Sequence, residues 1–229
     1  MRKLIFLLRR AKEIHETDGL ALLVKRGLAF GLGMVFFRQT YCVYADPVAR
    51  IQAPGEADFK PRVDDYVSKV VRSNEEADDL EAQGFEFRSQ VAGAARRLEK
   101  GAVALCTFVG REFACIEWLA MTQPAHDSLG EPPYSVRFRH KEAFSGGLWT
   151  NPKYRRLGLL RYSSFKALGF LQENGIETTR TAIATDNVAA QTSRPAFLPG
   201  PCAEGRYLRV LWWRSWKETP LAEDGQCRG

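Results

Sequence analysis

Cysteine and histidine are scarce in this 229-residue chain, and their scarcity narrows the chemistry before any motif is read. The five cysteines (Cys42, Cys106, Cys115, Cys202 and Cys227) are odd in number and form no Cys-x-x-Cys pair, so neither a disulfide framework nor a zinc site is expected. Three histidines, His15, His126 and His140, are too dispersed for a metal cluster, and no metal is expected. A reduced, cytoplasmic setting follows from the same counts. Long apolar runs are missing too. The longest uncharged stretch, residues 27–37, is eleven residues, whereas a transmembrane helix needs about 20. Arg2 and Lys3 precede Leu4–Leu8 as in a signal peptide, but Arg9-Arg10 interrupts the run, so no leader is expected.

What is present is a globular composition, 45% hydrophobic, with a formal charge of +6. The excess is concentrated. Residues 151–217 carry eleven Lys/Arg against four acids, a net +7. Such a field draws anions, whether a cofactor, nucleic acid or a membrane face. There is no helix-turn-helix pattern and no RNA-binding aromatic signature, so nucleic acid is not expected.

Along the chain, residues 1–44 read as two amphipathic helices. Leu4, Leu7, Leu8, Ala11 and Ile14 share one face, Asp18 caps a second start, and eight basic residues outnumber the three acids Glu13, Glu16 and Asp18. Packing on the main domain, a second subunit in a homodimer, or adsorption to an anionic membrane each suits such a pair. Residues 45–62, with Pro47, Pro54, Gly55 and Pro61, read as a linker. The expected domains are therefore a helical extension and linker over 1–62, a main domain over 63–217, and a loose tail over 218–229.

Within the main domain a strand is expected at 66–71, a helix starting at Ser73-Asn74-Glu75-Glu76 and stopping at Gly84, and a second helix over 90–98. Apolar runs at 102–109 and 113–121 flank Gly110-Arg111-Glu112 as an antiparallel hairpin. After a polar loop holding Pro124, Pro132 and Pro133, a strand at 144–150 ends at Asn151-Pro152. A helix follows, with Leu157, Leu160, Ser164, Leu168 and Leu171 at helical spacing, and closes at Asn174-Gly175. Strands at 178–185 and 206–216 complete the pattern. Between the last two, Arg194-Pro195-Ala196-Phe197-Leu198-Pro199 ends any helix near Ser193.

The turn that joins strand 144–150 to its helix says most about function. Asn151-Pro152-Lys153-Tyr154-Arg155-Arg156-Leu157-Gly158-Leu159-Leu160 puts arginines and a glycine at a helix start, whose open N–H groups and partial positive charge suit a phosphate. This segment resembles the acyl-CoA pyrophosphate loop of the GNAT superfamily of N-acyltransferases, in which Arg/Gln-x-x-Gly-x-Gly/Ala follows a strand. Arg155 and Gly158 match, and Leu160 departs from the usual small residue. The element order over residues 66–216 is similar to the superfamily's as well. The resemblance implies an α/β (α+β) fold with a mixed central sheet of about six to seven strands flanked by helices, beside the amino-terminal helical extension.

The resemblance also implies a chemistry: an amine acceptor attacks the thioester of acetyl-CoA or another acyl-CoA directly. Leu148, Trp149 and Thr150 would then lie along the cofactor arm, with a backbone N–H of that strand serving the oxyanion. Arg155, Arg156, Leu157, Gly158, Leu159 and Leu160 would face the pyrophosphate, and Asn187 would orient the pantetheine. Glu142 and Glu117 are candidate bases, although each alone is as readily a solvated or ion-paired carboxylate. Cys106 and Cys115 read as core residues. Arg194 stands where the family often has a proton-donating Tyr. That departure leaves two alternatives open beside the enzyme: a degenerate acyl-CoA-binding module, and a basic protein docking on the inner face of a membrane.

Overall fold

A computed structural model describes residues 35–48, 55–130, 132–194 and 198–221. Eight strands form one mixed sheet: β1 (Phe36–Pro47), β2 (Tyr66–Val71), β3 (Val103–Val109), β4 (Glu112–Ala120), β5 (Glu142–Thr150), β6 (Thr178–Ala184), β7 (Ala203–Val210) and β8 (Trp213–Pro220). Their order is β2-β3-β4-β5-β6-β1-β7-β8. The helices are α1 (Asn74–Ala82), α2 (Ala94–Glu99), α3 (Gln123–Leu129), α4 (Leu159–Glu173) and α5 (Val188–Ser193). Among the described residues no helix is long and apolar enough to cross a membrane. The chain parts into two compact units, one of Met1–Gln39 with Arg206–Lys217 and one of Thr40–Gly205 with Glu218–Gly229.

Local chemistry explains most boundaries in the larger unit. Ser73 caps α1, its hydroxyl accepting from the Glu76 N–H at 3.3 Å, while a Glu76 carboxylate oxygen accepts from the Arg72 N–H at 2.7 Å. The β3–β4 hairpin turns where expected. The apolar residues of β3 and β4 alternate between two cores. On one face Cys106, Phe108, Ile116 and Trp118 pack with Phe87 and helices α1 to α3; on the other Val103, Leu105 and Leu119 pack with Ala167, Phe170 and Leu171 of α4.

Several expectations need correction. Residues 36–47, read as the end of a helix and the start of a linker, form β1, whose seven pairs with β6 run from Tyr41↔Ala184 to Pro47↔Thr178. β-Branched and aromatic residues in Thr40-Tyr41-Cys42-Val43-Tyr44 favour a strand once a sheet edge is offered, a long-range cue that the helical spacing of apolar residues hides. The linker is also anchored in part, since a 3-10 turn at Glu56–Phe59 buries Phe59, which stacks on Phe165 of α4 at 4.6 Å. The loop after β4 contains α3, capped by Thr122, with Pro124 in the first turn where a proline N–H is not needed. Finally, the apolar run 206–216 is not one strand. It bends at Leu211-Trp212 into the β7–β8 hairpin, and Glu218 to Pro220, placed in the tail, belong to β8.

In α4 the buried face is Leu159, Tyr162, Ser163, Ala167, Phe170 and Leu171, so of the expected stripe only Leu171 is fully buried. Cys42 is disulfide-bonded, which corrects the expectation of reduced cysteines throughout, whereas Cys106, Cys115 and Cys202 are free.

Candidate functional site

The site is built around the way β5 leaves β6. The two strands run parallel but pair only at Glu142↔Thr178, Ala143↔Thr179 and Phe144↔Arg180. Immediately beyond, Thr181 Oγ1 donates to the Ser145 carbonyl at 3.0 Å, a side chain taking over from the backbone ladder. No further β5–β6 pair forms among the described residues. β6 keeps its course because β1 holds its other edge over all seven residues of the register. β5 turns the other way and follows β4, with a register shift between Ile116 and Trp118.

That shift is a bulge in which Gly147 and Leu148 together stand opposite Glu117. Gly147 has φ +60, and a Cβ there would lie 3.1 Å from Trp118 Cδ1, so a side chain would be strained in the backbone and crowded in space. After the bulge the Asn151 N–H donates to the Ala114 carbonyl of β4 at 2.8 Å. Because backbone groups alternate sides along a strand, the N–H groups of Leu148 and Thr150 point to the edge that β6 has left. Of the three strand residues read from the sequence, Trp149 therefore offers its ring rather than its N–H, and the ring stacks on Phe113 at 5.4 Å and 13°.

The basic turn follows directly. Asn151 Oδ1 caps a short 3-10 turn by accepting from the Lys153 N–H at 3.1 Å, and Tyr154 is buried with its hydroxyl on Glu112, which also takes Lys153. Arg156 adopts φ 65 and Gly158 φ 84, two left-handed residues that swing the chain into α4. No side chain caps α4 at Gly158, so its first N–H groups present a partial positive charge. A Cβ at Gly158 would come no nearer than 3.7 Å to Pro61 Cα. The glycine is thus required by its φ rather than by close approach of another chain segment. Leu159 is buried and Leu160 half-buried, while Arg155 reaches back so that its Nε donates to the Thr150 carbonyl at 3.3 Å.

The two candidate carboxylates lie at opposite ends of the β5–β6 junction. Glu142 is 4% exposed at the paired end and accepts from the Arg137 N–H at 2.8 Å and from Arg137 Nε at 2.9 Å. Burial alone would raise its pKa, but these bonds and the charge of Arg137 outweigh it and hold the carboxyl below the ordinary value. Glu117, on β4, is 2% exposed. Its oxygens accept from Ser145 Oγ at 2.7 Å and Ser164 Oγ at 3.0 Å, and burial raises its pKa against the pull of those two hydroxyls. Ser145 stands at the point of parting, so Glu117 has a hydrogen-bonded path to the opening and Glu142 is engaged by an arginine away from it. Ser145 and Thr181 were not singled out in the sequence, and Ser164 was read only as part of a helical stripe; isolated hydroxyl residues carry no catalytic pattern until the fold brings them together.

Asn187 caps α5, its Oδ1 accepting from the Ala190 N–H at 3.1 Å. Arg194, just beyond α5, binds both oxygens of the buried Asp46 at 2.7 and 3.1 Å and lies 3.7 Å over the ring of Tyr44. It ties β1 to the end of α5. Cys106 and Cys115 are buried and their thiol pKa values are pushed up by burial, that of Cys115 to about 12, which suits core residues and not nucleophiles. Among the described residues no group of three or more His, Cys, Asp or Glu is placed to hold a metal. A surface cavity of about 220 Å³, lined by residues such as Lys69 of β2, Arg72 of the connecting turn, and Glu76 and Asp79 of α1, involves none of the turn or bulge residues.

No family model matches the chain, and no curated protein matches it. Solved structures do resemble it. A GCN5-related glucosamine N-acetyltransferase region of a fungal multi-domain GH3 β-N-acetylglucosaminidase aligns at 10% identity with a TM-score of 0.46, covering 73% of this chain and 21% of that one. The C-terminal domain (DUF2156) of an Agrobacterium fabrum protein named as a lysylphosphatidylglycerol synthetase aligns at 11% identity and a TM-score of 0.40, covering 65% and 48%. A conserved Staphylococcus epidermidis protein of unknown function aligns at 12% identity and a TM-score of 0.42, covering 82% and 67%. Likeness at this level assigns neither a family nor an activity.

Proposed function

We propose that the chain is a GNAT-type acyltransferase that moves an acetyl or other acyl group from acyl-CoA to an amine. One observation carries the reading: the parting of β5 from β6 opens beside the uncapped start of α4, so a strand edge with unused N–H groups and an anion-binding helix start adjoin. A thioester on a long extended arm that leads to a pyrophosphate needs both features. Gly158, Leu159 and Leu160 supply backbone N–H groups for the pyrophosphate, with Arg155 and Arg156 adding charge. Leu148 and Thr150 offer N–H groups to the extended arm or to the oxyanion that forms when the amine adds to the thioester carbonyl. Asn187 keeps an amide N–H₂ available while its oxygen caps α5.

The amine must lose a proton as it attacks. Ser145 Oγ can accept it while passing its own proton to Glu117 Oε1, 2.7 Å away. Burial suits Glu117 to that role, because a raised pKa makes a carboxylate a better base at neutral pH. Glu142, neutralised by Arg137, has no comparable path.

Titration calorimetry of the full chain with acetyl-CoA and with CoA tests the reading. Binding of both, weakened at least about tenfold by Gly158→Val because a β-branched residue resists positive φ, supports it. Absence of binding to either ligand overturns it. One observation favours the binding-module alternative: Arg194, in the place of a proton donor, is consumed by its bond to Asp46. CoA binding without turnover on any amine tried would select that alternative.

A further inference from the structure

The smaller unit carries a feature unrelated to the acyl-transfer reading. At the tip of the β7–β8 hairpin the turn is Leu211-Trp212, followed by Trp213. Leu211 has φ 53, the left-handed backbone that hairpin turns demand and that Gly or Asn normally supplies. Trp212 is 86% and Trp213 53% exposed, and Val210 and Leu211 are exposed as well. Large apolar side chains thus occupy a turn where small polar residues would be more stable, and they point to water. A strained residue combined with an exposed indole marks a contact surface rather than a folding requirement.

The unit that carries the tip is basic in composition. The described residues of this unit, 35–39 and 206–217, include Arg38, Arg206, Arg209, Arg214 and Lys217 and no acid. The Leu211 N–H donates to the Val35 carbonyl at 2.6 Å, so exposed Val35 and Phe36 extend the apolar tip. Arg209 lies 5.6 Å from the Phe37 ring centroid, and Phe37 is 5.8 Å from Tyr207, so the base beneath the tip is braced by aromatic contacts.

We propose that this tip is a membrane wedge, Leu211, Trp212 and Trp213 entering the headgroup layer of an anionic phospholipid bilayer while the surrounding cations meet its charge. Indole rings prefer the membrane interface, and each nearby cation adds attraction to anionic lipid. The charge excess favours a lipid surface over a second copy of this chain, whose own tip would be equally cationic.

Sedimentation of the full chain with phosphatidylcholine vesicles, with and without phosphatidylglycerol, tests the wedge. The expected result is adsorption to the anionic vesicles, reduced at least about tenfold by Trp212→Ser combined with Trp213→Ser, since both interfacial anchors are then gone. Circular dichroism and an unchanged thermal melt establish that the double variant is folded. A second variant, Leu211→Gly, relieves the backbone strain and keeps both indoles; it should retain most of the adsorption. Tryptophan emission should shift to the blue on adsorption of the parent and not of the double variant. Adsorption unaffected by loss of the two indoles overturns the wedge and assigns membrane binding to residues 1–34. No adsorption even at low salt, or concentration-dependent dimers abolished by the same substitutions, overturns it in favour of a protein contact.

Discussion

The two ends of the β5–β6 junction bury a carboxylate each and treat it in opposite ways. At the closed end Glu142 is met by Arg137 and lies beside three backbone pairs. At the open end Glu117 receives only the hydroxyls of Ser145 and Ser164. One end has its charge neutralised and its strands zipped; the other has neither. Burial by itself therefore says little about what a carboxylate does: the partner decides whether desolvation is offset or left to bias the proton.

The most severe way to break the contrast is to remove what holds β6 apart. Deleting residues 1–55 takes out β1 and exposes the edge of β6 over its seven paired residues. The expected outcome is loss of cooperative unfolding and of CoA binding together; a truncated chain that still melts sharply and binds CoA would show that β1 is dispensable.

Next in size is the effect of Glu117 on turnover. Once an acceptor amine is in hand, Glu117→Gln should lower kcat by about 10²–10⁴, the usual worth of a general base, whereas Glu142→Gln should change it no more than a few-fold. Equal losses in steady-state assays would erase the functional distinction between the ends. Ser145→Ala should behave like Glu117→Gln, though less severely where water replaces the hydroxyl.

Stability should divide the two carboxylates in the other direction. Arg137→Ala strips the charged partner from buried Glu142, and urea melts should show a lower midpoint than the parent, by a margin that the solvent exposure of Arg137 reduces. The pH dependence separates them by sign. Glu142 has a folded pKa below its unfolded one, so its contribution is present above the ordinary carboxylate range and is lost as pH falls through its lowered value. Glu117 has a raised folded pKa, so its contribution is present below the unfolded value and is lost as pH rises through the folded one. Melts across pH should show Glu142→Gln flattening the acid side and Glu117→Gln flattening the side above the carboxylate range. Matching profiles would refute the opposed environments.

The smallest effect is expected at the bulge. Gly147→Ala forces a side chain into φ +60 against Trp118 and should cost about 1–3 kcal/mol. Chemical denaturation measures the cost, and a neutral result would mean that the bulge relaxes.

Much of this arrangement could be read before folding was considered. Ser73 as a cap, the Gly110-Arg111 hairpin, the basic turn and the stop at Asn174-Gly175 depend on neighbours a few residues apart, and short-range steric and hydrogen-bonding rules fix them. The order of strands and helices from Tyr66 to the end of β6 follows from the same rules, apart from α3. So do the positions of Leu148, Thr150, Arg155 and Gly158 on one strand and the turn after it.

Tertiary structure decided the rest, because it depends on residues far apart in the chain. β1 is a strand because β6, some 140 positions later in the register Tyr41↔Ala184, offers it an edge. The run 206–216 has the apolar content of one strand, and only the pairing of β7 with β8 reveals the turn at Leu211. Glu117 and Glu142 are indistinguishable as letters; one acquires Ser145 and Ser164, the other Arg137. Arg194 is a lone cation in the sequence and a bidentate partner of Asp46 in the fold. Local sequence set the conformations, and long-range pairing chose which groups would be neutralised, which would be left to react, and where two strands would part.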